Sequence, residues 1–304
     1  MRCVGKKVIL ASLLYATGLV PLWGWMRRRL GRGTAIFLTG HRVVPEGSND
    51  AVDRMALLSG HAITPAELDK RLRFLLRWVM PAGRPIELKN GLPGQRRFYL
   101  TFDDGYRDNV EHAAPVLQRL GVEAVIFTVA DLIEQPSAEP WWDRWGAQAL
   151  QEHGNEQAAV EAYNRRCMSS KRDFGGLDGN DLRPGPTRRY LDAKEIAALP
   201  GLFHVANHTK SHANLACLDL EHMNEQLDGG ERPIVGHPRY LPLLAYPFGS
   251  RSEAVLTALR SDRRFALAFA TGGGVESDRH QLRRLNLNLL SFPLFAAQAV
   301  GMMR

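Results

Sequence analysis

The sequence predicts an α/β fold built as a parallel (β/α) barrel, on three observations. Short apolar segments alternate with helical segments along most of the chain, the pattern required when each parallel strand is joined to the next by a helical crossover. Two apolar segments, residues 97–102 and 202–206, run straight into carboxylates and imidazoles respectively, and barrels gather such groups at one end of their strands. The 304 residues suffice for one large core, and one barrel carrying an insertion accounts for them better than two independent domains.

In chain order, the run Ile36-Phe37-Leu38-Thr39-Gly40-His41-Arg42-Val43-Val44-Pro45 opens the barrel as a strand. Thr64-Pro65-Ala66-Glu67 reads as a capping box with proline at the first helical position, starting an amphipathic helix that reaches about Val79. Residues 97–102 form a buried strand closed by a turn at Gly105. A helix follows from Asn109 to Leu120, stopped by Gly121, and residues 122–130 are the next strand. Asp192-Ala193-Lys194-Glu195 caps a short helix ahead of the strand at 202–206, and residues 281–287 form a late strand. Gly272-Gly273-Gly274 has no helix signature after it and reads as a turn, not a phosphate cradle.

Between Pro136 and Pro186 the alternation stops for too long to be an ordinary connection. The stretch begins Pro140-Trp141-Trp142-Asp143-Arg144-Trp145 and ends in a Gly/Pro-rich run over 174–186, so it reads as an insertion carrying one helix and a flexible arm. Its tryptophans are expected to seal the insertion against the scaffold rather than to stack sugar faces.

Residues 1–33 differ from the rest. The net charge is +7, and much of the excess lies here, in Lys6, Lys7, Arg27, Arg28, Arg29 and Arg32, with no charged residue between Lys7 and Arg27. Elsewhere the arginines are scattered, with no basic recognition helix, and nucleic acid is excluded as a partner. At ~1.5 Å per residue the uncharged run is just long enough to cross a bilayer, although Thr17, Gly18, Pro21 and Gly24 weaken it as a spanning helix. Trp23-Gly24-Trp25-Met26 is no small-residue cleavage site, so the segment is expected to be retained, either as an anchor or as a helix lying on a membrane surface or docked on the barrel. Cys3, Cys167 and Cys217 make no disulfide framework, which favours a reducing compartment. The expected location is cytoplasmic or membrane-associated rather than secreted.

The chemistry is concentrated in two segments. Thr101-Phe102-Asp103-Asp104-Gly105 places adjacent carboxylates at a strand end, where burial is costly unless a cation lies between them. Asn207-His208-Thr209-Lys210-Ser211-His212 supplies two histidines four apart, the spacing that puts both rings on one face of a helical turn. Together they indicate a metal site. These residues resemble the polysaccharide deacetylases of the NodB-homology type, carbohydrate esterase family 4, which carry a Thr-Phe-Asp-Asp-Gly segment followed by a His-Ser/Thr-x-x-x-His segment. The resemblance implies a distorted (β/α) barrel of the NodB, or glycoside hydrolase-deacetylase, type. It implies Asp103 as catalytic base and a divalent metal, usually zinc, held by Asp104, His208 and His212, with Thr209 bracing the loop. Such a division of labour suits amide hydrolysis, which needs an acidified water, a polarised carbonyl, a base for the water proton and an acid for the departing amine.

Two departures from the family pattern matter. The third motif is usually Arg-x-Pro-Tyr/Phe-Gly, with the arginine paired to the base, whereas this chain has Ala245-Tyr246-Pro247-Phe248-Gly249. The turn survives, so the Phe248 N–H, supported by Tyr246, remains a candidate oxyanion donor, and Arg284 is the expected substitute cation. The late Leu-x-His motif that carries the family's acid is also absent; His280 reads as a loop residue, and His41 is the expected acid. The resulting expectation is a domain over 34–304, with its insertion at about 136–186, that removes an N-acyl group, N-acetyl first among them, from an amino sugar. The expected partners are a carbohydrate or lipid-linked saccharide and, for residues 1–33, a membrane surface. Two rivals stay open: a catalytically impaired glycan-binding pseudoenzyme, and a deformylase or other hydrolase of a non-peptide amide.

Overall fold

Most of the strands that build the barrel are predominantly apolar because both of their faces are covered. In the computed structural model, which describes residues 2–31, 34–170, 176–271, 278–288 and 291–303, the chain starts with helices α1 (Arg2–Ala16) and α2 (Leu19–Arg29). Strand β1 (Ile36–Gly40) follows, then the short β2 (Arg42–Val43), α3 (Ala51–Ser59), β3 (Ala62–Ile63) and α4 (Pro65–Phe74). Next come β4 (Phe98–Phe102), α5 (Ala114–Leu120), β5 (Ala124–Thr128) and α6 (Ala130–Glu134). The insertion contributes α7 (Trp141–Glu152) and α8 (Glu156–Ser170). The chain continues through α9 (Ala193–Ala197), β6 (Phe203–Asn207), α10 (Leu220–Glu231), β7 (Tyr240–Ala245) and α11 (Glu253–Asp262), then β8 (Leu267–Thr271), β9 (Leu282–Asn286) and α12 (Phe292–Ala299). The glycine run at 272–274 and the first part of the Gly/Pro-rich run lie outside the described residues.

The barrel order is β1-β4-β5-β6-β7-β8-β9, all neighbours parallel, and β9 closes on β1 through Phe37–Arg284, Leu38–Leu285 and Thr39–Asn286. Side chains that alternate inward plug the barrel with rings. Phe37 stacks on Tyr99 at 5.5 Å and meets Phe269 at 5.0 Å, and Phe269 meets Phe127 at 5.8 Å. Above this plug the inward positions turn polar, at Thr39, Thr101 and Arg284, which sets the floor of the site.

The local signals operate largely as their chemistry requires. Thr64 accepts the Glu67 N–H, and α4 continues through a π-helical segment to Val79. Glu67 does not close its half of the box; it pairs with Lys70 and Arg71 instead. Asp192 and Glu195 form both halves of theirs. The predicted helix from Asn109 begins as a π-helical turn, becomes α5, and stops at Gly121 with φ 64°. The insertion departs from expectation, carrying two helices instead of one. The second was signalled by Asn155, whose side chain accepts the Ala158 N–H as a cap. Helices α3, α7 and α8 pack together over one side of the barrel mouth, and Gly146 lets α7 approach closely, since a Cβ there would lie 3.0 Å from Met55 Cγ.

A buried ionic network ties this wall to the barrel. Arg42 reaches Asp53 on α3 at 2.7 Å and Asp108 after β4 at 2.9 Å, while Arg189, where the chain returns from the insertion, reaches Asp50 at 2.9 Å. The same Asp108 accepts the Val43 N–H at 3.0 Å, so its charge is shared among several donors. At the amino end α1 and α2 bend by 75° at Gly18, where φ is 75°, and dock on the barrel layer beside α12. Among the described residues no single helix is long and apolar enough to cross a membrane, though the bent pair passes that test together.

Candidate active site

Successive residues of a strand point to opposite faces, so Asp103 and Asp104 could share a cavity only if the backbone turned between them. It does: Asp103 continues the inward alternation of β4, and Asp104 adopts φ 72°, followed by Gly105 at φ 76°. A left-handed aspartate is uncommon, and here the strain brings both carboxylates into one cavity of about 640 Å³.

Asp103 is fixed from β9. Arg284 projects inward, crosses β1 and meets Asp103 bidentately, Nη1 to Oδ1 at 2.6 Å and Nη2 to Oδ2 at 2.7 Å. Nη1 also donates to Thr101 Oγ1 at 3.0 Å, the Thr39 hydroxyl donates to Asp103 Oδ2 at 3.3 Å, and the guanidinium lies over Phe127 at 5.6 Å. Burial alone would raise the Asp103 carboxyl, but the Arg284 charge and hydrogen bonds hold it below its ordinary value, so it stands ionised. The expected substitute cation is thus in contact with the expected base, and Ala245 supplies only a backbone carbonyl to the site.

The histidines do not lie on a helical turn. After β6 the chain runs irregularly, with Thr209 at φ 69° and His212 at φ 56°, and these two left-handed residues, not helical periodicity, aim both rings at Asp104. The Asn207 side chain holds this loop, accepting the Thr209 N–H at 2.6 Å and donating to the Leu227 carbonyl of α10 at 2.8 Å. Thr209 therefore braces the loop through its main chain; its hydroxyl is buried with no hydrogen-bond partner among the described residues. His208 Nδ1 is 2.8 Å from the Ala245 carbonyl, which can only accept, so Nδ1 carries the proton and Nε2 presents a lone pair. That lone pair faces Asp104 Oδ1 at 3.3 Å, and His212 Nε2 lies 3.5 Å from the same oxygen. Lone pairs on three buried atoms, all within 4.8 Å of one another, repel unless a proton or a metal cation sits among them; against the lowering by burial, the hydrogen bond to Asp104 and the two aspartate charges raise the His208 imidazole. Burial pushes the His212 imidazole down to about 3, leaving it neutral as a ligand must be. The three residues fit a divalent metal with an O, N, N donor set.

His41 follows β1 and lines the same cavity, with a buried Nδ1 that has no hydrogen-bond partner among the described residues and its ring edge-on to His61 at 5.7 Å. His280 is elsewhere, buried with Nε2 3.3 Å from the Phe265 carbonyl. Phe248 has φ 60° in its turn and sets its ring edge-on to His212 at 4.7 Å. The Tyr246 hydroxyl donates to the His280 carbonyl at 2.6 Å, bracing the chain that leads into β9 and Arg284. The sequence reading missed further contributors: a tryptophan pair, an aspartate and a glycine. Trp142 packs on His212 at 4.9 Å and Trp141 stacks on Phe248 at 6.3 Å, so the insertion both seals itself and walls the candidate metal site. Asp143, buried between the hydroxyls of Tyr106 and Tyr190, pins the start of α7. Gly230 of α10 is the third; no local signal distinguishes it from other glycines.

Comparison with known proteins matches residues 90–263, more than half of the chain, to the family described as polysaccharide deacetylase. The chain belongs to the polysaccharide deacetylase family. It is accordingly a hydrolase of carbon–nitrogen bonds other than peptide bonds. Among solved structures it is similar to a Streptococcus pyogenes deacetylase, PplD, in complex with acetate (15% identity, 88% of this chain and 98% of that one, TM-score 0.59). It is similar to a polysaccharide deacetylase of Bacillus cereus (15%, 88% and 69%, TM-score 0.58) and to IcaB of Ammonifex degensii (18%, 89% and 98%, TM-score 0.56). At such identities the likeness is one of fold, and it includes the barrel. No curated protein gives a significant match.

Two outcomes follow from this geometry. Replacing Arg284 by Met leaves Asp103 as an uncompensated buried charge, and urea unfolding of the chelator-treated protein should show a loss of about 3–5 kcal/mol; a loss below about 1 kcal/mol would mean that the pair does not hold the two strands. A Cβ on Gly230 would lie 2.3 Å from Asn207 Oδ1 and 2.8 Å from the Thr209 carbonyl carbon. If the triad holds a divalent metal, Gly230→Ala should therefore weaken its binding by roughly 10- to 100-fold in a chelator competition, the usual effect of disturbing a ligand's support. Gly236→Ala, where a Cβ meets nothing within 4 Å, should leave it unchanged.

Proposed function

We propose that this family member is a zinc-dependent N-deacetylase that frees the amine of an N-acetylated amino sugar in a polysaccharide or lipid-linked saccharide. The observation that carries the reading is the juxtaposition of an ionised, arginine-clamped Asp103 with the Asp104, His208 and His212 triad in one cavity. A bound divalent cation supplies Lewis acidity, lowering the pKa of water and polarising the acetyl carbonyl. Asp103 is the group that accepts the water proton, and Arg284 both orients it and keeps it ionised before the reaction. The Phe248 N–H is the assigned donor to the oxygen that becomes negative as the carbonyl carbon turns tetrahedral. His41 is the assigned acid, passing a proton to the amine nitrogen as the carbon–nitrogen bond breaks. The acetate in the Streptococcus pyogenes deacetylase, the product of such a reaction, supports the choice of acetyl. The missing third-motif arginine no longer argues for an impaired site, because Arg284 makes the contact that arginine would make.

Metal analysis with acetate release from a panel of N-acetylated saccharides, an N-formyl analogue included, tests the reading; a zinc-loaded protein that cleaves only the formyl analogue, or none of the panel, defeats it. Asp103→Asn should retain zinc yet lose roughly two to four orders of magnitude in kcat. If it instead loses zinc and keeps its turnover per bound ion, the two aspartates have exchanged roles. His41→Ala should penalise amides with poor leaving groups far more than activated esters, whose departing group needs no proton. Equal losses on both would make His41 a structural residue.

A further inference from the structure

Helices α1 and α2 are held to the barrel along one face. Ala11 and Val20 are fully buried, Tyr15 lies edge-on to Phe292 at 5.2 Å, and Gly24 comes so close that a Cβ would meet the Trp78 carbonyl oxygen at 2.8 Å. Arg27 Nη1 donates to the Val300 carbonyl at 2.8 Å and Arg28 Nη1 to that of Leu76 at 2.7 Å. The pair is therefore part of the folded unit.

The opposite face is apolar and uncovered. Nine of the fourteen large apolar side chains exposed among the described residues lie on or just after these two helices, including Ile9 (63%), Leu13 (60%), Leu22 (51%) and Leu30 (62%). An exposed concentration of this kind marks an interaction surface. Its charge is one-sided: Lys6, Lys7 and Arg29 flank it, Arg27 and Arg28 beside them reach to the barrel, and no acidic residue precedes Glu46. The Arg29 guanidinium lies over the Trp25 ring at 4.7 Å, pairing a cation with an amphipathic ring as at a headgroup layer. At ~1.5 Å per residue neither helix, of 15 or 11 residues, reaches across the ~30 Å hydrocarbon core, and the 75° bend breaks their alignment.

From these observations we infer that the α1–α2 pair seats the protein in the plane of an anionic lipid bilayer, without crossing it, through the face turned away from the barrel. The inference stands apart from the reaction assigned to the cavity. Arg96, which donates to the Arg27 carbonyl at 2.9 Å, lies just before β4, so the arginine-rich end of α2 sits by the N-terminal ends of the strands while Asp103 lies past their C-terminal ends. Docking by this face leaves the cavity open.

The test uses the full-length protein with sedimenting vesicles of phosphatidylcholine, alone or mixed with phosphatidylglycerol. Native protein should sediment with the mixed vesicles, bind the neutral ones on the order of tenfold more weakly, and be released by alkaline carbonate, as an in-plane helix is and a spanning one is not. Leu13→Glu with Leu22→Glu should reduce sedimentation at least about tenfold while melting temperature and turnover of a water-soluble substrate stay unchanged. The inference is overturned if native protein remains in the supernatant with both vesicles, if the variant sediments as native does, or if carbonate fails to extract it. A native dimer that the double substitution dissociates, with no vesicle binding, would overturn it in favour of a second copy of the chain on this face.

Discussion

The site depends first on the pair between Asp103 and Arg284. A carboxylate above a plug of aromatic rings cannot remain ionised unaided, and a guanidinium inside a barrel cannot remain unpaired. Their bidentate contact solves both problems and joins the end of β4 to β9 across β1, so the Asp103 carboxylate is positioned by a strand residue while the other site residues follow strand ends. In the proposed reaction this pairing would make Asp103 a weaker base, and a cation held by Asp104, His208 and His212 would offset that by acidifying the water.

The second constraint is conformational. Asp104, Thr209, His212 and Phe248 all have positive φ without being glycine; Asp104, His212 and Phe248 line the cavity, and Thr209 lies in the loop between the two histidines. Strain of this kind persists only where neighbours over-determine it. Here the neighbours are the Asn207 side chain, the close approach of α10 at Gly230 and the Ala245 carbonyl on His208. The three candidate ligand atoms therefore converge within 4.8 Å of one another, as a preorganised site would have them.

The insertion and the amino-terminal pair extend the same barrel in different directions. Helices α3, α7 and α8 raise an apolar wall with Trp141 and Trp142 beside the triad, held by the Arg42 network and by Asp143 between two tyrosine hydroxyls. Helices α1 and α2 cover part of the outer helical layer and leave an apolar basic surface. The first extension lies beside the candidate site, whereas the second lies on the outer face of the helical layer, away from it.

What the sequence determined by itself was whatever local chemistry encodes: the alternation of strands and helices, the caps at Thr64, Asp192 and Gly121, and the residue types at 101–105 and 207–212. It also carried the candidate pairing of Arg284 with Asp103, because a missing arginine in one strand leaves a charge that another must meet. Tertiary structure decided the rest. Spacing of four suggested a helical turn for His208 and His212, but left-handed backbone at Thr209 and His212, held by Asn207 and α10, converges them, and those contacts come from residues distant in sequence. The tryptophans at 141 and 142 read as packing because only the folded insertion brings them to His212 and Phe248. The amino-terminal run could have been straight or bent; composition permits both, and it is docking of Ala11, Val20 and Gly24 on the barrel that bends it and leaves one face uncovered.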